Sequence, residues 1–416
     1  MSNLYNLPFT HIRAEAVTGA STTARRQKLY ASSALAGGCL RTFVVAAGLG
    51  CIGIALAPQQ VAAQAICGVS ADGTTTGMSG DGSVSTSSGA LACGPGAAAR
   101  GITATATGFN SNAFGASATA SGNGAFANGS EATATGFASN ATGLNATAYG
   151  NLTRANGANA TATGTGANAI GANATATGST AFANGTSATA TGANAIANGN
   201  FATATGVGAI ANGNDATAMG VGANAVGTFA TAVGLQANAT GNAATALGIG
   251  ANAIGTNATA TGQNSNALGA NATAMGSTAF ANGTGATATG AGANASGTTA
   301  TAAGNFAIAT GIQATALGGV SQANGAFATA VGYNANASNS SATAIGAYST
   351  ATGQFAVAMG FNANASGQYA TYLTEPGGNV VEVRDPDEVH FDPPGGTDLI
   401  GSYVVKRMEA LWHIKL

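Results

Sequence analysis

Along residues 101–370 the chain alternates with a period of two and punctuates itself with a period of seven. From Gly101 to Gly367 every seventh residue is glycine, with Asn339 the one exception. Between glycines the motif is Ala-x-Ala-x-Gly. Neighbouring heptads differ, as Ala216-Thr217-Ala218-Met219-Gly220 and Ala195-Ile196-Ala197-Asn198-Gly199 illustrate, so the full repeat is 14 residues. Residues i and i+2 of a strand share a face. Counting back from the glycine of the Thr-type heptad, the −3 position is nearly always threonine (Thr217, Thr231, Thr245, Thr273). The −1 position is threonine or a larger apolar residue (Met219, Val233, Leu247, Met275). The −2 and −4 positions are almost always alanine. One face therefore carries bulky groups and the other only methyls. The pattern predicts that the bulky −1 groups point inward to fill a narrow core, leaving the alanine face for close approach of a second surface. Each glycine is expected to close a short strand at a tight turn, with Asn339 at positive φ. Two strands per 14 residues make one solenoid coil. About 19 such coils, at about 4.8 Å each, give a rod roughly 90 Å long.

Composition sharpens this. Charged residues are 6% of the 416, glycine numbers 65, and most of the apolar count is alanine. Such bias usually means a disordered low-complexity segment. Disorder, however, requires neither a strict period nor fixed phases for Thr, Val, Leu and Met. Collagen would need glycine at every third position. A coil this thin buries little apolar surface against the entropy of ordering it, so the pattern also implies lateral packing of several chains. A net charge of −2 offers no footprint for nucleic acid. Asp215 is the lone aspartate of the array, which excludes calcium-binding repeats that need Asp at a fixed phase.

The flanks read differently. Phe43 to Ala57 is a 15-residue apolar run, preceded by Arg25, Arg26, Lys28 and Arg41 and followed by Ala63-Gln64-Ala65. This is the order of a secretory signal, here residues 1–65 with cleavage after Ala65. Residues 66–100, rich in Gly, Ser and Thr, read as a linker or an irregular cap. Cys67 and Cys93 bracket most of that segment and are a disulfide candidate in an oxidising compartment; free thiols or an interchain bond are the alternatives. No paired Cys/His spacing points to a metal, and no cofactor is expected.

Here the residues reach a resemblance. Ala342-Thr343-Ala344-Ile345-Gly346 and Ala356-Val357-Ala358-Met359-Gly360, within a 14-residue repeat, resemble the head of YadA-type trimeric autotransporter adhesins. The family consensus is similar to Ser-Val-Ala-Ile-Gly followed by a looser half; threonine here often replaces Val or Ile. The long stretch before the apolar run likewise resembles the extended signal peptides of large autotransporters. The resemblance implies an all-β, left-handed parallel β-roll of 14-residue coils in a side-by-side homotrimer. It also implies display on a bacterial surface, with host matrix proteins, host cells or further copies as partners.

Two other readings arise. Pairs such as Thr203 and Thr205 suggest the flat threonine arrays of ice-binding solenoids, but Met219, Val233, Leu247 and Met275 interrupt the lattice. A spacer without adhesive role is its companion alternative. The phenylalanines (among them Phe201, Phe229, Phe306 and Phe327) are expected in the core or between chains rather than as surface patches.

At residues 371–416 the composition changes. Leu399, Ile400, Tyr403, Val404, Met408, Leu411 and Trp412 recur at helical spacing behind a candidate cap at Thr397, so a short α-containing tail is expected. Asp387 and His390 resemble the Asp-x-x-His of the last block of SGNH (GDSL-type) hydrolases, which implies catalytic roles for those two residues. No serine nucleophile block accompanies them, and 46 residues do not build such a fold. The chain is therefore read as a secreted or surface-exposed adhesin head, not an enzyme.

Overall fold

The computed structural model describes residues 67–70, 83–374 and 380–384. Within them every regular element is a strand, and the strands form two parallel stacks. Three-residue strands such as Thr217–Met219 follow one glycine of each coil, and two-residue strands such as Asn224–Ala225 follow the other. Each strand pairs in parallel with the one 14 residues on. Thr217 lies opposite Thr231, Ala218 opposite Ala232 and Met219 opposite Val233; Asn224 lies opposite Asn238. The second stack has 21 strands. The first has 23, of which the two end strands are antiparallel, so the parallel β-solenoid has 21 coils. At about 4.8 Å per coil the stack rises roughly 95 Å.

The turns complete the hydrogen bonding. Gly213 C=O accepts from Ala216 N–H (3.2 Å) across a four-residue turn whose third residue, Asp215, has φ 54°. Positive φ at that position is the type II signature. The same left-handed position recurs two residues after each glycine, at Asn159, Phe229 and Tyr348 among others. The turn N–H groups bond along the stack, as Phe229 N–H does to Asn214 C=O (2.9 Å). Turn and strand backbone alike are thus satisfied by the neighbouring coil.

The core inverts the arrangement expected from the pattern. Ala216, Ala218, Ala223 and Ala225 are all 0% exposed, and the alanines at the same four phases of the other coils are likewise buried, whereas Met219 is 45% exposed. The bulky −1 and −3 groups face outward, and the alanine face is the interior. With only seven residues on each side of a coil, the two stacks lie too close for anything beyond methyls between them. Where serine or threonine replaces a core alanine beyond residue 100, its hydroxyl donates to the carbonyl three residues back, whereas Ser85 in the first coil donates to Ala90 C=O (2.8 Å). Ser265 bonds Gly262 (2.9 Å) and Thr153 bonds Gly150 (2.9 Å), so no buried hydroxyl there is orphaned.

The glycines serve two purposes. Gly220 has φ 132°, which favours glycine outright. Gly227 does not have positive φ; a Cβ there would lie 2.1 Å from the carbonyl oxygen of Gly241, so close stacking favours glycine, and a larger residue needs the next coil to shift. Asn339 occupies the second kind of position, and its φ is not positive, contrary to expectation. Its side chain accepts from Ser340 N–H (2.8 Å) and donates to Thr352 C=O (3.3 Å), tying the turn to the next coil.

The regular stacking starts before residue 101. Val84–Ser85 pairs in parallel with Ala98–Ala99. Gly68–Ser70 lies antiparallel on Ala90–Cys93, and Cys67 is joined to Cys93 across a Cα–Cα distance of 4.1 Å. At the other end Val380–Arg384 lies antiparallel on Thr371–Thr374. Both edges of the longer stack are thus covered by a reversed strand, which blunts strand addition there. Closing a separation of 26 residues is worth about 3 kcal/mol in chain entropy. Cys67→Ser is accordingly expected to speed amide exchange at residues 90–93 while leaving coils near residue 250 unchanged, because a solenoid couples only neighbours.

Candidate interaction faces

The repeat builds extended faces rather than a cleft. On the outer face of the longer stack, Thr217, Thr231 and Thr245 form a half-buried column. Beside it runs the −1 column, which changes character midway. Its first half is mainly threonine, as in Thr163, Thr177, Thr191 and Thr205. Its second half is mostly apolar and open to solvent: Met219, Leu247, Met275, Leu317, Ile345 and Met359 are 38–47% exposed. These are the side chains that the pattern assigned to the core. They are instead a line of exposed hydrophobic groups on a flat, uncharged sheet, an arrangement that marks contact surfaces.

The opposite face carries an amide column over residues 224–266, while elsewhere the same column holds Phe182, Ile196, Ile210, Phe280 and Ile308 among others. Asn224, Asn238, Asn252 and Asn266 sit in register on successive coils and donate side chain to side chain at 3.1, 2.9 and 3.3 Å. Each bond fixes an amide otherwise free to rotate, so this stretch of the face is ordered as well as polar.

The turn edges carry the aromatics. Phe201, Phe229, Phe306 and Phe327 are 56–64% exposed, so the expectation of a core role is corrected: the interior has room only for methyls. Phe114 is half-buried, with the Arg100 guanidinium 4.9 Å from its ring centroid, an exposed-site cation–π contact. Charge is otherwise scarce. From Ala216 to Thr374 there is no Asp, Glu, Lys, Arg or His. Among the described residues no three His, Cys, Asp or Glu side chains gather as a metal-ligating group. Asp387, His390 and the helix predicted over 397–412 lie outside the described residues, as does the leader, residues 1–65.

A family model described as the YadA head domain repeat (2 copies) matches in segments that together cover residues 99–153, 183–209, 211–237, 239–265, 267–293, 295–321, 323–349 and 351–371. These matches span more than half of the chain, and most cover about two coils. The chain belongs to the YadA head repeat family, and the repeat is an adhesin-type head. No curated protein matches it.

Proposed function

We propose that this chain is the head of a cell-surface adhesin, exported by the signal of residues 1–65 and assembled as a side-by-side homotrimer. It would mediate attachment to host matrix or cell-surface molecules, or agglutination between cells. The observation that carries the assembly is the exposed apolar column from Met219 to Met359 on an uncharged sheet face. A core made almost wholly of alanine methyls adds a second argument, since it supplies little hydrophobic stabilisation to a single roll. Family membership supports the adhesive role. Light scattering of the full chain is expected to give three times the single-chain mass; a single-chain mass would remove the trimer.

A second reading has one observation behind it. Thr161 and Thr163, Thr175 and Thr177, Thr189 and Thr191, and Thr203 and Thr205 form outward-facing pairs on four successive coils. A flat array of hydroxyls and methyls is what an ice-binding face requires. That face and the trimer face are the same, so the two readings separate on mass together with ice-growth inhibition.

A further inference from the structure

Three aromatic side chains meet on one turn edge near the C-terminal end of the roll. The turns are Gly332-Tyr333-Asn334, Gly346-Ala347-Tyr348 and Gly360-Phe361-Asn362 on successive coils. Tyr333 and Phe361 hold the first turn position two coils apart, roughly 10 Å at the strand spacing. Ala347 lies between them and is too small to fill the interval. Tyr348 fills it from the second, left-handed position (φ 59°). Its ring centroid is 5.6 Å from that of Tyr333 and 5.8 Å from that of Phe361, with interplanar angles of 72° and 77°. The three rings make an edge-to-face chain, yet they remain 56%, 46% and 63% exposed. Phe355 and Tyr369 instead stack face to face (5.1 Å, 3°), which occupies one face of each ring.

The platform is preorganised. Tyr348 N–H donates to Tyr333 C=O (2.9 Å), Asn362 N–H to Ala347 C=O (3.0 Å) and Asn334 N–H to Gly319 C=O (2.9 Å), so the backbone under each group is pinned. Asn334 and Asn362 flank Tyr348 in the second turn position, and both are exposed. Their side-chain amides, like the phenol groups of Tyr333 and Tyr348, have no hydrogen-bond partner among the described residues. Two amides bring both donors and acceptors, and two phenols add more. No ionic side chain lies anywhere from Ala216 to Thr374.

That chemistry selects a partner. Ring faces carry negative quadrupole density and attract polarised C–H groups. Unpaired amides beside them suit hydroxyls. The absence of charge gives no counter-group for an anionic ligand, a cation would meet the ring faces but no carboxylate and would leave the phenol and amide donors unmatched, and a purely aliphatic partner would leave four polar groups unmatched at the contact. A pyranose ring combines a C–H face with a rim of hydroxyls. We infer that Tyr333, Tyr348 and Phe361, with Asn334 and Asn362, form a binding site for neutral glycans, one or two uncharged hexose units lying against the rings. This deepens the adhesin reading, on which it rests, by naming the chemical class of its partner.

The test titrates the full chain with cellohexaose, chitohexaose and maltohexaose, followed by saturation-transfer NMR. Tyr348→Asn is the informative variant, because asparagine already occupies the same left-handed position at Asn334 and Asn362 and removes the ring without straining the turn. Saturable binding of at least one oligosaccharide is expected, weakened tenfold or more in Tyr348→Asn, with unchanged circular dichroism and melting temperature. Phe361→Ala is expected to weaken it similarly. Binding of none of the three sugars, or equal binding by both variants and the parent, overturns the site. A change of assembled mass in Tyr348→Asn also overturns it, because the cluster is then a contact between copies; so does binding of an uncharged aromatic peptide in place of sugar. Host-cell attachment is measured in parallel. Attachment by a parent chain that binds none of the three sugars sinks the glycan site and leaves the adhesin reading standing, whereas sugar binding by a parent chain that does not attach does the reverse.

Discussion

Ala218→Leu is expected to break the roll at its own coil. Ala218 is fully buried, with Ala204 and Ala232 as its register neighbours along the stack. Overpacking a core typically costs about 1–3 kcal/mol, because surrounding side chains give way at some expense. Here the surroundings are methyls and backbone, with no flexible side chain to move, so the cost is expected at about 3 kcal/mol or above. A solenoid propagates stability only through adjacent coils, so the damage divides the rod instead of softening it evenly. Limited proteolysis should cut between about residues 205 and 235, and hydrogen exchange should accelerate there first. The neighbouring Met219→Ala, on the solvent side of the same strand, should change the stability of the roll itself by no more than about 0.5 kcal/mol. Were the methionine inside and the alanine outside, the two outcomes would be exchanged. A tolerated Ala218→Leu would refute the arrangement.

That comparison shows where the sequence stops being explicit. Period-two alternation tells which residues share a face and does not tell which face is inside; a flip of one residue exchanges them all. The usual rule places the larger apolar groups in the core. It fails here because a half-coil of seven residues leaves a slot only one methyl deep on each side. A signal was nevertheless available. The −2 and −4 positions hold alanine almost without exception, with serine as the main substitute, as expected for a slot of fixed size. The −1 column runs from Ala303 through Thr205 to Tyr149, and Tyr149 is 59% exposed. A position that accepts both alanine and tyrosine is not a close-packed interior. Coil length and parallel pairing were legible because the glycine period is strict. The two roles of the glycines were not, since Gly220 and Gly227 look alike until the approach of the next coil is known. The aromatic cluster was also hidden. Tyr333, Tyr348 and Phe361 fall at unequal sequence intervals and meet only because the first and second turn positions of successive coils adjoin.

Lysine at both Met219 and Met275 is expected to convert the assembled protein to single chains. In the proposed trimer each substitution puts three like charges on faces that carry none, from Ala216 onward, to pair with. Burying an unpaired charge at such a contact costs several kcal/mol, far beyond the few tenths that a methionine exposed at 45% loses by substitution in a monomer. Light scattering should fall to the single-chain mass. The melting temperature should drop and lose its dependence on protein concentration, because assembly stabilises by mass action. The control places the same charge on the opposite sheet. Asn238→Lys removes the bonds to Asn224 and Asn252, at a net cost of about 1 kcal/mol each, and should leave the assembled mass unaltered. If both variants stay assembled, the apolar column is not the contact. If both dissociate, any charge suffices and the face has no special role. Only the asymmetric result assigns the interface to the methionine-bearing sheet. It would also explain why the alanine core is so sparse: the apolar groups that a lone domain would bury inside are held on the outer face, where neighbouring copies bury them for one another.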